Sequence, residues 1–199
     1  TQPPKKKQRG QKLNPTPVQQ HAEKLNIPII RTPDDLNTKK ELDFLKQLKP
    51  NIVVVVAYGK IIPRSFLELP NLYFINIHAS ILPKWRGAAP IQRAILNMDN
   101  ETGVSIMKIE NKLDTGPVMK YSKINITKEC SFDSLSVKLS NLAASIIIDT
   151  LKTIENKKEN FIPQDHKMAT YANKVDKSEA KIIWTDRAKN IIAKINAFN

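Results

Sequence analysis

A chain of 199 residues is long enough for one domain of ordinary size, or for one domain and part of another. Its formal charge of +13, from 32 basic and 19 acidic residues, points either to a polyanionic partner or to a lysine-rich coding bias. A hydrophobic share of 41% excludes a wholly disordered chain, no apolar run approaches the ~20 residues that span a bilayer, and the lone Cys130 excludes an intramolecular disulfide framework and a cysteine-rich zinc site.

Residues 1–17 read as a loop, because Pro3, Pro4, Gly10, Pro15 and Pro17 interrupt any regular element. Lys5, Lys6, Lys7, Arg9 and Lys12 cluster there, and no acid precedes Glu23, so average composition does not explain the local charge. Val18, Ala22 and Leu25 predict a short helix over 18–25, and the apolar stretch 27–30 reads as an edge strand because of Pro28. Leu42, Leu45 and Leu48 predict a helix over 34–48. The run NIVVVVAY over 51–58 is β-branched and apolar on both parities, the pattern of a central parallel strand covered on both faces.

A brief helix over 64–69 leads to a second strand over 73–78. A helix over 88–98, strands over 103–110 and 118–126 and a long amphipathic helix over 131–155 follow. Strands alternating with helices predict an α/β fold with a mainly parallel, Rossmann-like sheet. Residues 156–181 turn polar and lysine-rich, and Ala188, Ile191, Ile192 and Ile195 mark a final helix. The expected organisation is a catalytic part over 1–160, a linker over 161–175 and the start of a further domain over 176–199.

Residues 74–90 (FINIHASILPKWRGAAP) carry the chemistry. Side chains alternate along a strand, so Asn76 and His78 share one face and Ile75 and Ile77 the other. A polar pair at the carboxyl end of a buried strand is where open α/β sheets bind ligands. The Pro- and Gly-bearing run after it, Ser80, Ile81, Leu82, Pro83 and then Trp85-Arg86-Gly87, is suited to presenting backbone groups to a flat heterocycle. Asp114 comes 36 residues after His78 in Leu113-Asp114-Thr115-Gly116. It is a plain turn former unless the fold returns it to His78, where a carboxylate would orient the imidazole and favour its charged form. His21, His78 and His166 are far apart and lack ligand spacing, so no metal is expected. Cys130, at the start of a helix with nothing to pair with, reads as structural.

The ordered set NIHASILPKWRGAAPIQRAI, ETGVSIM and LDTG, with the opening TQP…RGQKLNPTPV and the later TYANK, resembles the methionyl-tRNA formyltransferase family over essentially the whole chain. Asn-x-His and the Ser-x-Leu-Pro loop are shared with glycinamide ribonucleotide formyltransferases, the hydrolase domain of formyltetrahydrofolate dehydrogenase and UDP-aminoarabinose formyltransferases; the Trp-Arg-Gly-Ala-Ala-Pro-Ile-Gln run favours the tRNA enzymes. The resemblance implies a sheet of the formyltransferase type, incomplete at its N-terminus, and a β-rich C-terminal domain of which only the start is present. It implies formyl transfer from 10-formyltetrahydrofolate to the methionine amine of initiator methionyl-tRNA. Asn76, His78 and Asp114 would be catalytic, with Asn76 and protonated His78 donating to the formyl oxygen and His78 and Asp114 handling protons. Ser80, Ile81, Leu82 and Pro83 would pack against the folate, and Lys5, Lys6, Lys7, Arg9 and Lys12 would meet the tRNA. No membrane or protein partner is implied. The expected setting is the cytoplasm, or a mitochondrion if a transit peptide precedes Thr1. Two other classes stay open: a folate-dependent transferase or hydrolase acting on a small amine or water, and a non-enzymatic basic nucleic-acid-binding module.

Overall fold

The structure, a computed structural model, describes residues 1–7 and 12–199, in two compact units. The first comprises residues 1–51 and 58–72. Its opening is not the loop expected: strands β1 (Lys5–Lys7) and β2 (Lys12–Asn14) pair antiparallel. The prolines at 3, 4, 15 and 17 flank these strands instead of interrupting them, so no ladder donor is lost. Helix α1 (Pro17–Lys24) starts on a Thr16 cap that accepts from Gln19 N, with Pro17 in the first turn where its missing N–H costs nothing. The expected strand over 27–30 does not form. Ile27 N–H closes the end of α1 on the Ala22 carbonyl, Pro28 has no donor, and Ile27 and Ile29 are exposed.

Helix α2 (Lys39–Leu48) begins later than its leucine spacing suggests, because Thr38 caps it and Asn37 N–H is taken by the Asp35 side chain in a turn. Arg31 straps this unit together: it pairs with Glu41 and lies over the Phe44 ring at 4.1 Å. Lys60 donates to the Pro33 and Asp34 carbonyls at 3.0 and 2.6 Å, and the short helix α3 (Arg64–Leu67) buries Phe66.

The second unit comprises residues 52–57 and 73–199. Strands β3 (Ile52–Val56), β4 (Tyr73–His78), β6 (Glu101–Lys108) and β7 (Val118–Asn125) form one sheet in that order; β5 (Arg86–Gly87) pairs with β8 (Tyr171–Ala172). The α/β class holds, but the sheet is mixed rather than mainly parallel. Only β3 and β4 are parallel; β6 runs antiparallel to both β4 and β7. The direct return through residues 109–117 makes β6 and β7 a hairpin and not a crossover, and β6 itself already enters the sheet antiparallel to β4. Among the described residues β3 pairs on one side only, and Val54 and Val56 are exposed, so it is not the strand covered on both faces that its composition suggests.

Helix α5 (Phe132–Glu155) opens on a Ser131–Ser134 capping box and buries Leu135, Leu139 and Ile146 against Ile75, Val104 and Ile106 of the sheet. Contrary to the expectation from its apolar runs, this helix is long and apolar enough to cross a bilayer by length and composition; it lays Leu135, Leu139 and Ile146 into this core and leaves Val137 and Ile148 exposed. Helix α4 (Pro90–Leu96) contributes Ile95, and α6 (Ala188–Phe198) contributes Ala197. A smaller cluster of Leu82, Met107 and Val118 is buried separately from this core.

The stretch 161–175, expected as a linker, is tied down. Ile162 bridges Val118, Thr170 N–H donates to the Pro83 carbonyl, and Tyr171–Ala172 forms β8. Arg93 on α4 pairs with Glu179 and donates to the Asn173 carbonyl.

Candidate active site

The alternation of β4 delivers the polar pair as its sequence requires. Ile75 enters the main core, while Asn76 and His78 stand opposite Met107 and Ser105 of β6 on the other face. His78 is the last residue of β4 and only 5% exposed. Residues 109–117 fold back over this face and bring Asp114, 9% exposed, to both. Asp114 Oδ1 accepts from Asn76 Nδ2 at 3.5 Å, Oδ2 lies 3.6 Å from His78 Nδ1, and Oδ2 also accepts from Gly87 N at 2.9 Å.

The other ring nitrogen of His78, Nε2, lies 2.8 Å from the Trp85 carbonyl oxygen. A carbonyl only accepts, so Nε2 carries a proton. A neutral ring then turns its Nδ1 lone pair toward the carboxylate, and a doubly protonated ring turns an N–H toward it. Nε2 is thus engaged within the protein and Nδ1 faces the Asp114 carboxylate at 3.6 Å, which the strand pattern alone did not indicate. Two of the site's residues also adopt a left-handed backbone conformation. Asp114 and Trp85 have φ of +51° and +61°, in the left-handed region that costs a non-glycine residue about 1 kcal/mol or more.

The segment 80–83 packs behind the pair. Ser80 is fully buried and its Oγ donates to the Lys84 carbonyl. Ser105 Oγ donates to the Ser80 carbonyl at 2.7 Å and accepts the Leu82 N–H at 3.0 Å. Leu82 is buried with Met107, and the Leu82–Pro83 peptide is cis. The Ile81 carbonyl is used by Lys84 N–H and the Pro83 carbonyl by Thr170 N–H. This leaves the Ile81 N–H and the Leu82 carbonyl without a protein partner among the described residues, a donor and an acceptor in a braced loop. Such a pair suits the polar edge of a heterocycle such as a pterin.

The 84–87 turn is fixed from several directions. Trp85 Nε1 donates to Asp99 Oδ2 at 2.7 Å, Lys84 Nζ reaches Asp99 Oδ1 at 2.8 Å, and Trp85 N donates to Thr170 Oγ1 at 2.8 Å. Gly87, at φ +119°, passes so close to β8 that a Cβ would lie 2.7 Å from the Ala172 oxygen. Asp99 carries none of the patterns by which sequence marks a site, and Thr170 enters only as the first residue of the TYANK run. One is a polar residue in an ordinary turn and the other lies in the stretch expected as a linker, and only the fold gives them these contacts.

Of the expected tRNA-contacting residues, Lys5, Lys6, Lys7 and Lys12 fall on β1 and β2, and Arg9 lies outside the described residues. Cys130 is buried with Thr127 Oγ1 and Lys138 Nζ each 3.6 Å from its sulfur. Burial raises its pKa, but the Thr127 hydrogen bonds and the Lys138 charge outweigh this and lower it. No cluster of three or more His, Cys, Asp or Glu able to hold a metal occurs among the described residues.

Residues 1–151 match the family model described as "Formyl transferase". Across 197 residues the chain is 55% identical to a methionyl-tRNA formyltransferase of Pelagibacter ubique, covering 98% of this chain and 63% of that protein. The chain thus spans under two thirds of that relative's length. Two solved structures share the fold at low identity. The sugar 3N-formyl transferase WlaRD, solved in the presence of dTDP and 5-N-formyl-THF, superposes with a TM-score of 0.72 at 23% identity over 91% of this chain and 62% of that one. HypX from Aquifex aeolicus in complex with tetrahydrofolic acid superposes with a TM-score of 0.69 at 17% identity over 78% of this chain and 27% of that one.

Proposed function

The chain belongs to the formyl transferase family, and from that membership we propose that it carries the catalytic part of an enzyme that formylates the methionine amine of initiator methionyl-tRNA in the cytoplasm. The observation that carries the reading is the convergence of Asn76, His78 and Asp114 beside a loop with an unpaired donor and acceptor. The substrate is favoured by the 55% identity to a protein of that name and by the basic opening segment.

In this reading the 80–83 loop holds the folate through the Ile81 N–H, the Leu82 carbonyl and the apolar surface of Ile81 and Pro83. Bound there, 10-formyltetrahydrofolate supplies the formyl group: the amine nitrogen bonds to the formyl carbon, the bond from that carbon to N10 breaks, one proton leaves the amine and one reaches N10. Asn76 Nδ2 carries two protons, and Asp114 engages one of them. The second is the donor for the charge that builds on the formyl oxygen. His78 joins it by exchanging its contact with the Trp85 carbonyl for that oxygen. Asp114, beside Nδ1, accepts a proton and steadies the charged ring, and a water completes the relay from amine to leaving nitrogen. Residues 161–175 act as a docked connector toward the rest of the protein.

The test is an assay of the complete gene product with 10-formyltetrahydrofolate and, in separate reactions, methionyl initiator tRNA, free amines and water. Formyl-methionyl-tRNA as the dominant product supports the reading. Formylation of a small amine, or release of formate without an acceptor, moves the protein to the small-substrate relatives. Tight tRNA binding with no turnover makes it a nucleic-acid-binding module.

A further inference from the structure

The loop bearing Asp114 is held by a side chain that lies outside the TYANK run of the 161–175 segment. Gln164 is 9% exposed. Its Nε2 donates to the backbone oxygens of Asp114 at 3.0 Å and Gly116 at 2.7 Å. Its Oε1 accepts from Arg86 Nε at 3.1 Å and Nη2 at 2.7 Å. Both amide protons and both lone pairs are used, and the chemistry fixes which way the amide points. A guanidinium only donates and carbonyls only accept, so a flipped amide would set like against like at all four contacts.

Arg86 is itself 2% exposed, donates further to His166 Nδ1 at 2.9 Å, and has no ion pair with Asp or Glu among the described residues. A buried guanidinium without a carboxylate is a costly element, retained where its planar fork is needed to grip. What it grips is the acceptor side of Gln164, and the donor side of Gln164 grips the 114–116 backbone. That backbone needs the support, because Asp114 is held in the left-handed region at φ +51°.

We propose that Gln164, braced by Arg86, is a positioning residue that sets the approach of Asp114 Oδ2 to His78 Nδ1. The inference rests on the roles given above to His78 and Asp114. It makes the 161–175 segment part of the site's geometry and not merely a tether, so displacing that segment detunes the carboxylate–imidazole pair.

Two substitutions in the complete gene product separate positioning from support. Gln164→Glu keeps the Oε1 acceptor for Arg86 and adds an ion pair, but sets its other carboxylate oxygen against the two carbonyls. Gln164→Leu removes both sets of contacts. Both should lower kcat by about 10- to 100-fold while KM for folate stays within roughly twofold, the signature of misplaced chemistry rather than lost binding. A role confined to neutralising the Arg86 burial requires the opposite: Gln164→Glu as active as the parent, or more so. That result overturns the proposal, and should the leucine variant not fold, the glutamate variant still decides. A second readout needs no turnover. The ring ¹⁵N shifts of His78 in the substrate-free Gln164→Glu protein should move toward those of Asp114→Asn; unchanged shifts overturn the proposal. If the parent protein transfers no formyl group to any acceptor, the proposed function fails while the NMR comparison still judges the positioning role.

Discussion

Asp114 accepts the Gly87 N–H at 2.9 Å through Oδ2, the same oxygen that faces Nδ1 of His78. One carboxylate oxygen therefore joins the hairpin loop to the 84–87 turn and also polarises the candidate catalytic ring. These two duties can be separated. In Asp114→Asn an amide oxygen still accepts from Gly87, but the charge beside His78 is gone and an amide nitrogen takes the place of the oxygen that accepts from Asn76. Turnover should fall about 100-fold or more with little change in thermal unfolding. Asn76→Ala and His78→Ala should each cost about 100-fold as well, with smaller effects on folate binding, because their proposed donors act on charge that develops during the reaction. Single-turnover formyl transfer beside a melting curve makes the comparison. Near-normal turnover in a folded His78→Ala protein would remove the trio from the mechanism.

The Asn76–His78 pair was legible in the sequence because strand alternation is a local rule, and β4 has the expected bounds, 73–78. The Asp114 contact was not legible from spacing, since only the tertiary return of residues 109–117 creates it: the residues marked Asp114 as a turn former that matters only if the fold returns it to His78, and the resemblance gave it a catalytic role. Three failures share one cause. The 1–17 hairpin, the missing strand at 27–30 and the mixed sheet all depend on which backbone groups find partners, and composition does not report that. Gln164 had no signal because a polar residue in a lysine-rich stretch looks the same whether it faces water or two buried carbonyls.

Two glycines are predicted to be irreplaceable for different reasons. At Gly116 a Cβ would lie 1.9 Å from the Lys108 oxygen, a backbone clash that no rotamer relieves, so Gly116→Ala should destabilise by about 3 kcal/mol or more. At Gly87 the φ of +119° adds strain to the contact with Ala172, and Gly87→Ala should both destabilise and displace the N–H that Asp114 accepts. Denaturant melts measure the first effect. The second predicts lost turnover under conditions where the variant remains folded, and full activity there would separate Gly87 from the site.

The Arg93–Glu179 pair ties the turn before α6 to α4 and gives a pH signature. Hydrogen bonding to Arg93, with help from the Asp176 N–H, lowers the Glu179 pKa from 4.5 to about 2. A carboxylate whose folded pKa is depressed stabilises the folded state above its unfolded value and loses that contribution on acidification. The anchoring is therefore complete above about pH 4.5 and fades as pH falls toward 2. Amide exchange over α6 should accelerate across that window, and Glu179→Gln should exchange faster at neutral pH with a flatter dependence. Equal pH dependence in the two proteins would assign the effect to other carboxylates.

The basic opening yields the last prediction. Lys5, Lys6, Lys7 and Lys12 lie on paired strands, and Arg9 belongs to the segment between them in sequence, with no acid before Glu23 to neutralise any of them locally. Lysines that meet phosphates act as point charges through counterion release, so their contribution shows in the salt dependence of binding. Replacing Lys5, Lys6 and Lys7 together by alanine should weaken tRNA binding and reduce the slope of log affinity against log salt by up to about 2–3. Folate affinity, assigned here to the 80–83 loop, should stay nearly constant. Arg9→Ala should act differently: it should lower turnover on methionyl-tRNA through placement of the methionine amine and leave the salt slope changed by about one at most. Filter binding of initiator tRNA across a salt series, beside folate titration, distinguishes these outcomes. An unchanged slope in the triple-lysine variant, or equal loss of tRNA and folate affinity, would make these lysines an ordinary solvated surface.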